Sequence, residues 1–197
     1  MWDKTYKWES DNSNHQQLWD ADSQANRDLL YRADDILQTD PSAAVELYRQ
    51  AADAGSAWAM MDVAGFYKRG TGSEANSELA LEYYYRAVCA GSWLATLGYA
   101  RLLKERGNFD TAQQVLEDGV RLGFIPACYW LARYRYQRSP DRETRLAVLP
   151  LMLRAADAGH PYARMIVGRW MIRGMVGCRH IPRGFRMAYQ FIRQLRP

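Results

Sequence analysis

One motif returns along this chain at nearly fixed spacing. Ala51-Ala52-Asp53-Ala54-Gly55 is followed by Ala87-Val88-Cys89-Ala90-Gly91, by Gly119-Val120-Arg121-Leu122-Gly123 and by Ala155-Ala156-Asp157-Ala158-Gly159, with the glycines 36, 32 and 36 residues apart. A period in that range belongs to arrays of helix pairs, because no single pair can bury its apolar face alone. Eleven residues before each glycine stand Ala44, Ala80, Ala112 and Val148, followed by bulky pairs at Leu47 and Tyr48, Tyr83 and Tyr84, Val115 and Leu116, and Leu151 and Met152. This register lays one apolar stripe along a helix of about four turns. The glycine then suits the left-handed position just past the helix end. Four residues on, Ala59, Ala95, Ala127 and Ala163 open a second helix, each preceded by a larger residue: Trp58, Leu94, Pro126 or Tyr162. Small residues where helices cross permit close backbone approach.

These residues resemble the Sel-one-like repeats, relatives of the tetratricopeptide repeats. Residues 59–91 carry the pattern through Ala59, Tyr67, Gly70, Gly72, Ala80, Tyr83, Tyr84, Ala87 and Gly91, with Ala64 at the place of the usual first glycine. Residues 163–177 carry it again through Ala163, Gly168, Gly174 and Gly177, with Met171 at the tyrosine position. The middle repeat departs, its loop shortened to Arg106-Gly107-Asn108-Phe109. The resemblance covers roughly residues 41–195. It implies a right-handed α-solenoid of about four stacked helix-turn-helix repeats, and a non-catalytic module for binding another protein. Small bacterial proteins of this kind serve as adaptors, as regulators, or as antidotes (immunity proteins) to a toxin or effector.

The rest of the chain fits around that array as a polar arm over residues 1–13 and a single domain over 14–197. A helix is expected from His15 to Leu37, and Asp40 caps another that begins at Pro41. Further helices are expected over 77–90, 93–106, 110–122, 126–138, 141–158, 161–173 and 182–195. Pro150 should kink the 141–158 helix or mark its effective start. The last helix reads as a terminal cap, with Phe185, Ala188, Tyr189, Ile192 and Leu195 on one side and Arg183, Arg186, Arg193 and Arg196 on the other. No apolar run approaches the 18 or so residues that span a membrane. Three scattered cysteines, Cys89, Cys128 and Cys178, give no disulfide framework. With no apolar leader at the N-terminus, the expected location is the cytoplasm.

Charge is the second signal. Residues 1–120 hold 19 acidic and 11 basic residues, whereas residues 121–197 hold 15 arginines, no lysine and only Asp141, Glu143 and Asp157 as acids. The overall charge of +4 thus conceals a dipolar chain. Arginine makes planar, bidentate contacts with carboxylates and phosphates. The basic half therefore suits an acidic protein partner, and in a second reading a nucleic acid, although no zinc-finger, RNP-like or leucine-zipper pattern is present. Opposite charges on the two halves also permit a homodimer. So does the arm, whose Trp2, Tyr6 and Trp8 would share one side of an extended strand.

Placing the first helices on a concave groove turns outward the residues two and six after each stripe alanine. These are Glu46 and Gln50, Glu82 and Arg86, Gln114 and Asp118, and Pro150 and Arg154. Arg133, Arg138, Arg164 and Arg173 complete the expected partner-binding set, and the groove would run from acidic to basic. Nothing points to catalysis, a cofactor or a metal. His15, His160 and His180 are dispersed, Cys178-x-His180 supplies two ligands where a structural zinc wants four, and Gly70-Thr71-Gly72 lacks the lysine of a phosphate-binding loop.

Overall fold

The computed structural model describes residues 12–195. Among them are eleven α-helices and a short 3-10 turn at Cys178–His180, and no strand. The helices are α1 (Asn12–Ala21), α2 (Gln24–Ile36), α3 (Pro41–Asp53), α4 (Ala57–Arg69), α5 (Ser77–Cys89), α6 (Trp93–Glu105), α7 (Phe109–Arg121), α8 (Ile125–Arg138), α9 (Arg142–Asp157), α10 (Pro161–Ile172) and α11 (Ile181–Leu195). Consecutive helices pack in pairs, the arrangement of an all-α solenoid. The described chain divides into two compact units, residues 12–115 and 116–195.

Local chemistry sets each boundary. Ser23, Asp40, Ser56, Asn76, Ser92 and Asp141 cap α2 to α6 and α9, each side chain accepting from the backbone N–H three residues on. Gly55, Gly91, Gly123 and Gly159 take φ values of 99°, 88°, 92° and 109°, which places all four motif glycines in the left-handed region that stops a helix.

In the N-terminal unit the core gathers Leu30, Ala33, Val45, Tyr48, Ala51, Ala59, Val63, Ala64, Phe66, Ala80, Tyr83, Tyr84 and Leu102. In the C-terminal unit it gathers Cys128, Tyr129, Ala132, Val148, Met152, Ala155, Ala163, Val167, Trp170, Met171 and Met187. The expected crossing residues Ala44, Ala59, Ala80, Ala95, Ala112, Ala127, Val148 and Ala163 all have no exposed surface.

Three expectations need correction. The helix expected over 15–37 is two helices, because Ser23 accepts from the Asn26 N–H and starts α2 afresh. Pro150 does not mark the start of its helix, which begins at Arg142 and ends at Asp157. Pro150 and Leu146, whose carbonyl loses its donor, are both exposed, so that carbonyl lies on the solvent side. On α11 the buried side is set by Gly184 and Met187, while Phe185, Tyr189 and Ile192 are more than half exposed. The arm with Trp2, Tyr6 and Trp8, and the dimer contact expected of it, lie outside the described residues.

Gly184 explains how α11 is held. A Cβ built there would stand 2.7 Å from the Met171 Cβ and 2.9 Å from both the Gly168 carbonyl oxygen and the Ile172 nitrogen, so the α10 backbone itself fills the space. Gly184→Ala should therefore destabilise the protein by about 1–3 kcal/mol, the range for overpacking. Thermal unfolding followed by circular dichroism checks this. A melting temperature within one degree of wild type would show that α10 and α11 separate without cost.

Candidate functional site

A cleft of about 500 Å³ opens on the C-terminal unit. Its walls come from two helices, α8 with Tyr129, Arg133, Tyr136 and Gln137, and α10 with Tyr162, Met165, Ile166, Arg169, Trp170 and Arg173 just beyond its end. Met152 of α9 and Met175 of the following loop complete the lining. The volume lies within the usual range for pockets that take a ligand.

The helical period assembles this wall. Tyr162, Met165, Ile166, Arg169 and Arg173 recur at three- and four-residue steps, so they share one face of α10, as Tyr129, Arg133 and Tyr136 do on α8. The aromatic rings then lock one another. Tyr136 meets Trp170 edge-on at 5.1 Å between centroids, and Tyr129 meets Trp130 at 5.3 Å. Tyr129 also stacks on His160 at 4.1 Å. Arg133 is anchored by donating to the Tyr129 hydroxyl at 3.1 Å and by lying 5.3 Å from the centre of the Trp130 ring.

His160 sits beneath this face with no exposed surface and caps α10, its Nδ1 accepting from the Ala163 N–H. Burial pushes its pKa down to about 3, so the ring is neutral at physiological pH. Burial likewise raises the thiol of Cys128, a core residue of the same unit.

Four of the five carboxylates of this unit are engaged away from the cleft. Glu117 accepts from Arg135 at 2.7 Å, and Asp157 accepts from Arg183 at 2.9 and 3.0 Å. Asp118 pairs with Arg121. Asp141 is tied to the Thr144 N–H at 2.7 Å, a contact that holds its pKa below the usual carboxylate range. Among the described residues no carboxylate lines the cleft, and Arg169 and Arg173 make no ion pair.

Of the residues expected to bind a partner, Arg133 and Arg173 line the cleft. Arg164 bonds the Ala156 carbonyl at 2.9 Å, which joins α10 to α9. Arg138 and Arg154 are exposed outside the lining. In the N-terminal unit Arg86 pairs with Asp53 at 3.1 Å, bonds the Ala52 carbonyl and lies over the Tyr83 ring, so it joins α5 to α3. Glu46 is exposed and bonds Arg49 and Gln50, and Glu82 and Gln114 are exposed. Sequence reasoning missed Arg169 and the aromatic and methionine lining. The signal available was Tyr162, in the same place before its alanine as Trp58. No cluster of three or more metal-binding side chains occurs among the described residues, and none of their helices is long and apolar enough to cross a membrane.

The consecutive helix pairs, the left-handed glycine stops and the alanine crossings define a helical-repeat protein. The Sel1 repeat model matches residues 28–56, 59–92 and 125–148, so the chain carries Sel1 repeats at these three positions. Each match begins in α2, α4 or α8 and takes in all or part of the next helix, so the family frame leads each repeat with the helix taken above as second. Residues 163–177 fall outside the matches, although α10 repeats the same caps and crossings.

Solved structures with this fold include a Sel1 repeat protein from Oxalobacter formigenes, 16% identical, covering 98% of this chain and 84% of its own, with a TM-score of 0.76. A protective antigen of uropathogenic Escherichia coli is 17% identical with a TM-score of 0.72, covering 87% of this chain, which spans only 39% of that protein. An immunity protein from Pseudomonas aeruginosa is 19% identical with a TM-score of 0.54, covering 77% of this chain and 60% of its own. No curated protein matches the sequence.

His160 yields a pH prediction. Its folded pKa lies below the ordinary 6.5, so the unfolded chain binds more protons between those values. Stability should fall as pH drops from about 6.5 toward 3, by on the order of 3 kcal/mol from this group. His160→Ser keeps the cap, as Ser56 and Ser92 show, and should remove that component. Urea unfolding across this pH range measures it, and equal pH slopes for both proteins would mean the ring is not held neutral.

Proposed function

We propose that this protein is a non-catalytic interaction module that binds a protein partner, as an antidote, an adaptor or a regulator does, in the cytoplasm. The observation that carries this reading is the C-terminal cleft. Three arginines and a wall of aromatic and methionine side chains converge there, with no lining carboxylate among the described residues. Such a surface pairs a desolvated apolar floor with guanidinium groups at its rim, and interfaces of this composition concentrate their binding energy in aromatic and arginine anchors. Methionine adapts its shape to an irregular partner. The partner surface is acidic, because a basic surface would leave like charges facing one another. The immunity protein among the structural neighbours supports the antidote form of this reading.

The test is a tagged pull-down from the protein's own cells at moderate salt, with nuclease, comparing wild type with the Arg169→Glu/Arg173→Glu variant. Both positions are exposed, so the variant should keep the wild-type circular dichroism spectrum and melting temperature. The expected result is one stoichiometric protein that survives nuclease and is lost by at least tenfold in the variant, the loss expected when hydrogen-bonded charge pairs are reversed. Material that disappears with nuclease would instead assign the arginines to nucleic acid. A partner retained by the variant would move the interface elsewhere.

A further inference from the structure

We propose that the cleft receives a helix of the partner that seats an aromatic side chain beside Tyr162 and directs carboxylates to Arg169 and Arg173. This rests on the interaction reading above and specifies its chemistry. The template lies in the protein itself. In the N-terminal unit the short helix α1 packs against α4 and α6, two helices in the phase that leads the repeats. There Trp19 meets Trp58 of α4 at 5.2 Å and Tyr31 of α2 at 5.6 Å. Asp22, just past the end of α1, accepts from the hydroxyl of Ser56, the cap of α4. An aromatic followed by a carboxylate is thus how this kind of helix face is already covered once.

The C-terminal unit presents the same face. Tyr162 holds the position of Trp58, one residue before the crossing alanine, and His160 holds that of Ser56. No described segment covers it. Two substitutions between the faces state what the occupant must bring. Arg69 of α4 has a carboxylate within its own unit, the half-buried Asp62, whose charged form it favours. The matching Arg173 has Ile166 in place of Asp62, and Arg169 stands where α4 has Gly65. The C-terminal face therefore carries one more guanidinium and lacks the carboxylate that answers it. An incoming acidic helix restores the balance, with charge-assisted bonds to a planar fork that suits a carboxylate. The thioether and aliphatic lining at Met152, Met165 and Ile166 suits an aromatic side chain and not a phosphate.

The experiment measures fluorescence anisotropy of a labelled, end-capped peptide with the sequence of residues 12–23 on addition of the full chain. Companion peptides carry Trp19→Ala, or Asp20→Asn with Asp22→Asn. The peptide should bind, each companion should bind about tenfold or more weakly, and Arg169→Gln/Arg173→Gln in the protein should cause a similar loss. Arg154→Gln, exposed outside the cleft, should change nothing.

Three results overturn the proposal. The first is absence of binding at millimolar protein. The second is equal binding by the wild-type and Arg169→Gln/Arg173→Gln chains, which would place the peptide on the N-terminal unit. The third is indifference to the Asp→Asn changes together with competition by oligo-uridine, which would assign the cleft to nucleic acid. If the peptide fails while the pull-down partner is still lost with Arg169→Glu/Arg173→Glu, the cleft remains a protein site of other chemistry. If both fail, the interaction reading fails with it.

Discussion

Ala44, Ala59, Ala80, Ala95, Ala112, Ala127 and Ala163, each with no exposed surface, let neighbouring helix backbones approach to a distance that larger side chains would forbid. Everything else is arranged around those approaches. The bulky residues one turn away, Tyr48, Tyr83, Tyr84, Leu116 and Met152, fill the space the alanines leave. The glycine after each helix returns the chain within three residues, so the next alanine arrives in register. Gly184 against Gly168 is the same device with backbone on backbone.

A scaffold held by such small residues leaves the outward helix positions free to carry chemistry. On α10 those positions run Tyr162, Met165, Ile166, Arg169 and Arg173, and on α4 they run Trp58, Met61, Asp62, Gly65 and Arg69. The two faces share a backbone plan and differ in charge. In the N-terminal unit burial and the nearby Asp34 push the Asp62 carboxyl up to about 7. In the C-terminal unit the arginines face a cleft that no carboxylate of the described residues lines.

Much of this was legible without coordinates. The repeat period, the alanine crossings and the glycine stops are all local statements about helices, and the structure reproduces them residue by residue. Helix ends were legible where a polar cap was present, as at Asp40. The cap at Ser23 was missed because the apolar spacing of Leu18, Leu29, Leu30, Ala33 and Ile36 continues across it. On α11 the stripe through Phe185, Tyr189 and Ile192 suggested the wrong buried side. The contact surface there is made by the absence of a side chain at Gly184, which an apolar stripe does not register.

The site shows the same division. Its arginines stood out in the sequence as a charge imbalance, yet composition cannot separate Arg164, spent on the Ala156 carbonyl, from Arg173 at the cleft. That difference depends on which helix lies opposite, a fact set by packing between residues far apart in the chain. The sequence by itself determined the repeat, the helix ends and the basic character of the second half, because each rests on local spacing and counting. Only the tertiary structure decided which face of α8 meets which face of α10, where an open wall remains, and which guanidinium groups reach it, because those follow from the angles at which the alanine crossings set the helices.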